Sequence, residues 1–155
     1  AGSLLAARFD DFMAGKRALD VLFEPTDTTS LASVAYTRNH VVLNVLDDVK
    51  NRLTVLTPGA SGWSRAAFAG APAMGTVGVS AVDSDASDEV WLTVTDYLTP
   101  TTLRLASVAP GAPAPETLKT QPVFFDGSKH VAEQHFATSK DGTRIPYFLV
   151  RPKAM

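Results

Sequence analysis

The sequence predicts an all-β fold, an incomplete β-propeller followed by a hairpin, and three observations carry that expectation. Short strand-like runs recur at a spacing of roughly 8 to 12 residues. One stretch of the chain is echoed about 50 positions later. Near the end, an Asp-Gly turn joins two runs rich in β-branched and aromatic residues.

The first observation rests on runs at residues 31–37, 41–46, 53–57, 76–82, 90–96 and 103–108, each bounded by turn-forming residues. Such spacing fits a sandwich or a propeller. The echo tips the choice toward a propeller. Val41, Leu43, Val45, Asp47 and Val49 reappear as Val90, Leu92, Val94, Asp96 and Leu98 at an offset of 49. Leu53 and Val55 then match Leu103 and Leu105 at an offset of 50, which requires one inserted residue. A period near 50 suits propeller blades, whereas a sandwich has no reason to repeat strand by strand. Two blades, about 29–68 and 75–120, are the economical reading.

In the terminal hairpin, residues 131–139 and 143–151 flank Lys140-Asp141-Gly142, where Asp-Gly can take the positive φ values of a tight turn. Ile145, Tyr147 and Leu149 fall on one face of the second strand, Phe148 and Val150 on the other. Both faces want cover that five remaining residues cannot give.

With 45% hydrophobic and 19% charged residues, the 155-residue chain has an ordinary globular composition. A formal net charge of -2, with no Lys/Arg cluster beside an aromatic series, argues against nucleic-acid binding. Absence of Cys excludes disulfides and thiolate metal sites, and leaves cytoplasm and periplasm equally open. No run approaches the roughly 18 apolar residues of a membrane span, so no membrane partner is expected and the protein should be soluble.

Phe125-Asp126, then Glu133-Gln134, then Ser-Lys-Asp-Gly-Thr-Arg-Ile-Pro-Tyr-Phe at 139–148 resembles the propeller-to-catalytic-domain junction of the prolyl oligopeptidase family of serine peptidases. Pro25 with Ser30-Leu31, Gly62-Trp63, and Asp96-Tyr97-Leu98-Thr99-Pro100-Thr101-Thr102-Leu103 are similar in order and spacing to the late propeller blades of that family. The resemblance implies a division into the remainder of a blade (1–28), two blades (29–74 and 75–125), and the junction with the first hairpin of an α/β-hydrolase domain (126–155). At the start, Leu5, Phe9, Phe12 and Met13 follow helical spacing with Gly15 as a stop, while the family pattern puts a strand at residues 4–9. We side with the strand. Residues 21–24 read as a further short strand, and Ala109-Pro110-Gly111-Ala112-Pro113-Ala114-Pro115 as a stiff loop inside the last blade.

Gly59-Ala60-Ser61-Gly62-Trp63 departs from the nucleophile elbow G-x-S-x-G at its fifth position and reads as a turn entering the next blade. His135 and Ser139 lie roughly 13 Å apart on one extended strand and cannot form a dyad. His130, Glu133 and His135 lack the i, i+4 spacing of a helical zinc motif and alternate between faces. Asp83-Ser84-Asp85-Ala86-Ser87-Asp88-Glu89 has the acidic density of a calcium loop, but Asp88 stands where the turn requires Gly, so a solvated hairpin loop is expected. Trp63, Trp91 and Tyr97 could form a sugar platform, with Trp91 and Tyr97 on one strand face, although packing between blades is the commoner cause.

No catalytic, cofactor or metal residue is therefore assigned. What the resemblance implies is a parent enzyme that cleaves short peptides after proline, whose propeller covers and gates the active site. This chain would lack the triad and be inactive alone. Its expected partners are those peptides, through the parent, its own missing catalytic domain, and other copies of itself through open strand edges. The alternative is an autonomous all-β binding module for a protein or glycan.

Overall fold

Alternation of β-branched and small polar residues drives most of the chain into antiparallel strands, and the computed structural model describes residues 1–154. Twelve strands form four separate sheets. Strands β1 (Leu4–Ala6) and β2 (Asp20–Phe23) pair first, with the helix α1 (Phe9–Met13) between them. Next come β3 (Thr29–Tyr36), β4 (Val41–Asp47), β5 (Lys50–Gly59) and β6 (Gly62–Phe68), hydrogen-bonded in chain order as a four-stranded meander. A second meander repeats it with β7 (Thr76–Ala81), β8 (Glu89–Thr95), β9 (Thr102–Ser107) and β10 (Glu116–Thr120). Strands β11 (His130–Thr138) and β12 (Arg144–Pro152) close the chain as a hairpin preceded by a 3₁₀ turn at Gly127–Lys129.

Two four-stranded blades, a two-stranded remnant and a terminal hairpin are the incomplete propeller that the repeat predicts, and β3 packs against β7 where the blades meet. The register explains the two offsets. Val45 faces Arg52 in the first blade, and their counterparts Val94 and Thr102 face each other in the second. The inserted residue therefore lies in the turn between the second and third strands, Asp48-Val49 in one blade and Tyr97-Leu98-Thr99 in the other.

Blades pack face to face, so a central strand must be apolar on both sides. Val42 joins Ala35, Leu53 and Val55 on the face turned to the second blade, meeting Val77, Val90, Leu92, Val94, Ala106 and Val108. Val41 and Leu43, on the opposite face of the same strand, pack with Leu56 and with Leu22 of the remnant. Gly70 sits where a Cβ would come within 2.9 Å of a Leu92 methyl, so only glycine fits that approach without displacing core. Buried Asn44 crosses the same seam, donating from Nδ2 to the Val77 carbonyl at 2.8 Å and accepting from Asn51 Nδ2 at 2.7 Å.

The start of the chain combines both of its sequence signals. The strand expected at residues 4–9 stops at Ala6, and the helical spacing takes over from Phe9. Asp10 and Asp11 in the first turn favour the helix N-terminus, while Gly15 at φ 83° ends it. Arg17 caps the exposed side by stacking over Phe12 at 4.5 Å.

The terminal turn also differs from expectation. Gly142 alone takes positive φ, 89°, and Ser139 donates from its backbone N–H to the Thr143 carbonyl at 2.9 Å across a three-residue loop. Asp141 instead braces the turn, accepting from the Ser139 hydroxyl and the Thr143 backbone N–H, which hold its carboxyl at about 2. A two-residue turn with two left-handed residues does occur, but at Asp48 (φ 46°) and Val49 (φ 60°).

Candidate functional site

Two places gather the polar and exposed groups that the core does not absorb: the seam between the blades and the terminal hairpin. At the seam, Asp88 ends the β7–β8 loop and receives three donors from the first blade. The Thr37 hydroxyl and the Asn39 backbone N–H each donate to Oδ1 at 2.8 Å, and Asn39 Nδ2 donates to Oδ2 at 2.8 Å. His40, buried beside them, lies 3.8 Å from Oδ2 through Nε2 and hydrogen-bonds Thr57 through Nδ1 at 2.7 Å. Burial alone would raise the Asp88 pKa, but the donors from Asn39 and Thr37, with His40 alongside, hold it below the usual aspartate value.

This loop is thus only partly the solvated connection expected from its composition. Asp83 does brace it locally, accepting from the backbone N–H groups of Asp85 and Ala86 at 2.9 and 3.0 Å. Asp88 faces inward because it begins the central strand of one blade beside the matching start, at Asn39, in its neighbour. Residue spacing could not show that, since the two are 49 positions apart.

The hairpin has two unlike faces. Gln134, Phe148 and their neighbours turn toward the blades, where Phe148 meets Tyr97 with ring centroids 5.2 Å apart and Gln134 Nε2 donates to the Asp48 carbonyl at 2.8 Å. The opposite face presents Ile145, Tyr147 and Leu149, exposed at 47%, 47% and 42%. On it, His135 stacks on Tyr147 at 5.6 Å, and Arg151 Nη2 donates to Glu133 at 2.7 Å and holds that carboxyl below its usual range. Of the two apolar faces the alternation predicts, the blades touch one, and only in part: Phe148 is half-buried against Tyr97, while Val150 on the same face remains 41% exposed.

The residues weighed for chemistry are scattered. Ser61 occupies the tip of the β5–β6 hairpin, whose last pair is Gly59 with Gly62, so the turn lies inside the first blade instead of entering the next. The cause is β6, whose apolar residues Trp63, Ala66, Ala67 and Phe68 do not alternate and so leave a faint strand pattern. His130 and His135 fall on opposite faces of β11, and Ser139 bonds Asp141 in the turn. Among the described residues, no group of three or more His, Asp or Glu side chains is placed to share a metal ion. Trp91 and Tyr97 do not share a strand face, because β8 ends at Thr95 and Tyr97 swings onto Phe148. Trp63 packs on the other side of the first blade and donates to Asp20 at 3.2 Å. Among the described residues, no helix is long and apolar enough to cross a membrane.

Two repeated four-stranded blades, a polar seam and a terminal hairpin make up a propeller segment. The chain is similar in sequence and fold to one segment of larger peptidases. It is 37% identical over 133 residues to an uncharacterized peptidase of Sinorhizobium fredii, an alignment covering 86% of this chain and 18% of that protein. A solved post-proline cleaving enzyme from Rickettsia typhi matches 100% of this chain with 22% of its own, at 27% identity and a TM-score of 0.78. Prolyl oligopeptidase B from Galerina marginata shares the fold over 93% of this chain and 20% of its own, at 23% identity and a TM-score of 0.70. No family model matches the chain. The chain spans about a fifth of the length of the relatives it matches.

Proposed function

We propose that this chain is the blade-and-junction segment of a serine-type peptidase that cleaves short peptides after proline. Its role is to cover and gate an active site built by residues other than these 155. The likeness of the whole chain to a post-proline cleaving enzyme carries this reading. The exposed Ile145, Tyr147 and Leu149 face supports it further, since an autonomous binding module should cover its own last hairpin. On this reading residues 126–155 form the junction and first hairpin of the catalytic unit, and no residue of the chain serves as nucleophile, base or acid.

The purified chain is expected to release no product from a chromogenic Gly-Pro anilide at any pH between 5 and 9. Turnover that co-purifies with the chain and is abolished by Ser61→Ala or Ser139→Ala would overturn the assignment.

Open faces also bear on assembly. Apolar side chains stand out at Phe9, Met13 and Val123, and Phe124 is 89% exposed, while the outermost strands of each sheet keep unpaired edges. The isolated chain should therefore self-associate in a concentration-dependent way. Sedimentation velocity is the check, and a single monomeric species from micromolar to near-millimolar concentration would refute the expectation.

A further inference from the structure

The turns that connect the second and third strands of the two blades occupy equivalent places in the repeat, and both reach the hairpin. In the first blade the ladder ends at the Asp47–Lys50 pair, which leaves the Asp48–Val49 peptide outside it with its carbonyl free to accept. Asp48 and Val49 both lie in the left-handed region, which a β-branched residue such as Val49 seldom occupies. That conformation goes with an Asp48 carbonyl turned to Gln134 Nε2, 2.8 Å away. The Asp48 backbone N–H is held in turn by the Thr28 carbonyl at 3.0 Å.

In the second blade the matching turn is braced differently and meets the same unit. Asp96 Oδ1 accepts from the backbone N–H groups of Leu98 and Thr99 at 2.8 and 2.6 Å, fixing the loop that carries Tyr97. Tyr97 lies against Phe148 of β12. Just ahead of β11, Gly127 presses on the same turn so closely that a Cβ there would stand 2.6 Å from the Leu98 carbonyl oxygen. Val49, Tyr97 and Phe148 line one shared cavity of about 200 Å³, so the two turns and the hairpin converge on one point.

We infer that these two equivalent turns form a two-point cradle that sets the orientation of the hairpin, with the Gln134–Asp48 hydrogen bond as its clasp and the Tyr97–Phe148 contact as its pivot. A single point of contact would leave a two-stranded ribbon free to swing about it. The second point removes that freedom, and because the points belong to different blades, the hairpin reports the relative position of both. The clasp is the weaker point, one hydrogen bond to a strained turn, so the hairpin is released there first and swings about Tyr97. The cradle stands on the geometry of this chain; only its consequence, that a catalytic unit continuous with the hairpin takes its orientation from the blades, rests on the proposed peptidase function.

The chain has no Cys, so a pair of labels can be placed cleanly. Lys140→Cys at the hairpin tip and Ala86→Cys in the β7–β8 loop, both exposed, carry nitroxides whose distance distribution is read by pulsed electron resonance. Diluted into excess unlabelled chain, so that distances between copies do not contribute, the labelled chain should give a narrow distribution. Gln134→Ala should broaden it at least twofold while leaving the far-ultraviolet dichroism unchanged, and Gln134→Glu, which also lacks the donor, should do the same. Arg144→Ala is the control, because Arg144 stacks on Phe136 within the hairpin, 3.6 Å from the ring centroid. An unchanged distribution in both Gln134 variants, or equal broadening in the control, would overturn the cradle. Either result is independent of whether the peptidase reading survives the anilide assay.

Discussion

Leu92→Ala should destabilise the chain by about 2–5 kcal/mol, the usual range for emptying a fully buried leucine site. Leu92 is 0% exposed at the centre of β8, on the face that meets the first blade. The site is walled by residues of both blades, and the Gly70 backbone already stands close against the Leu92 side chain, so a cavity there is bordered by two packed blades. The check is urea unfolding followed by far-ultraviolet dichroism at one fixed protein concentration, since association shifts apparent stability. A loss below about 1 kcal/mol would mean that the blades do not share this core.

Asp88→Ala is the second large effect, expected to cost about 2–4 kcal/mol because hydrogen bonds to a charged acceptor contribute more than neutral ones and the Thr37 and Asn39 donors lose their partner. The folded-state pKa of Asp88 lies below its value in an unfolded chain. Its contribution is therefore fully present above about pH 4 and is lost as pH falls through the lowered folded value. The difference in stability between the native chain and Asp88→Ala should be constant from pH 7 to about 5 and shrink steadily below about 4. A difference that failed to shrink as pH fell well below about 4 would show that the carboxylate is not the stabilising form.

These two side chains mark different levels of legibility. Leu92 could be assigned from the sequence because strand alternation has a period of two and the echo at an offset of 49 aligned it with Leu43. Composition puts Asp88 in a solvated loop, since acidic and small residues between two strands look alike whether they face water or a neighbouring blade. The strands β6 and β10 show no alternating apolar pattern, because β10 is exposed throughout and β6 nearly so. They fell within the expected blades only because the period required the space. Spacing puts Tyr97 on a strand face with Trp91, whereas the turn at Asp96 carries it away to Phe148.

By itself the sequence determined the repeat, the all-β class, the terminal hairpin and the likeness to a peptidase junction. All of these depend on local periodicity, turn residues and the order of short motifs, which a linear chain records directly. Only the tertiary structure decided which hairpin face meets the blades, which aspartate seals the seam, and that two turns 49 positions apart both touch one ribbon. Those choices depend on how one blade is stacked on the next. Stacking is a property of surfaces brought together over long sequence separations, and no single segment encodes it.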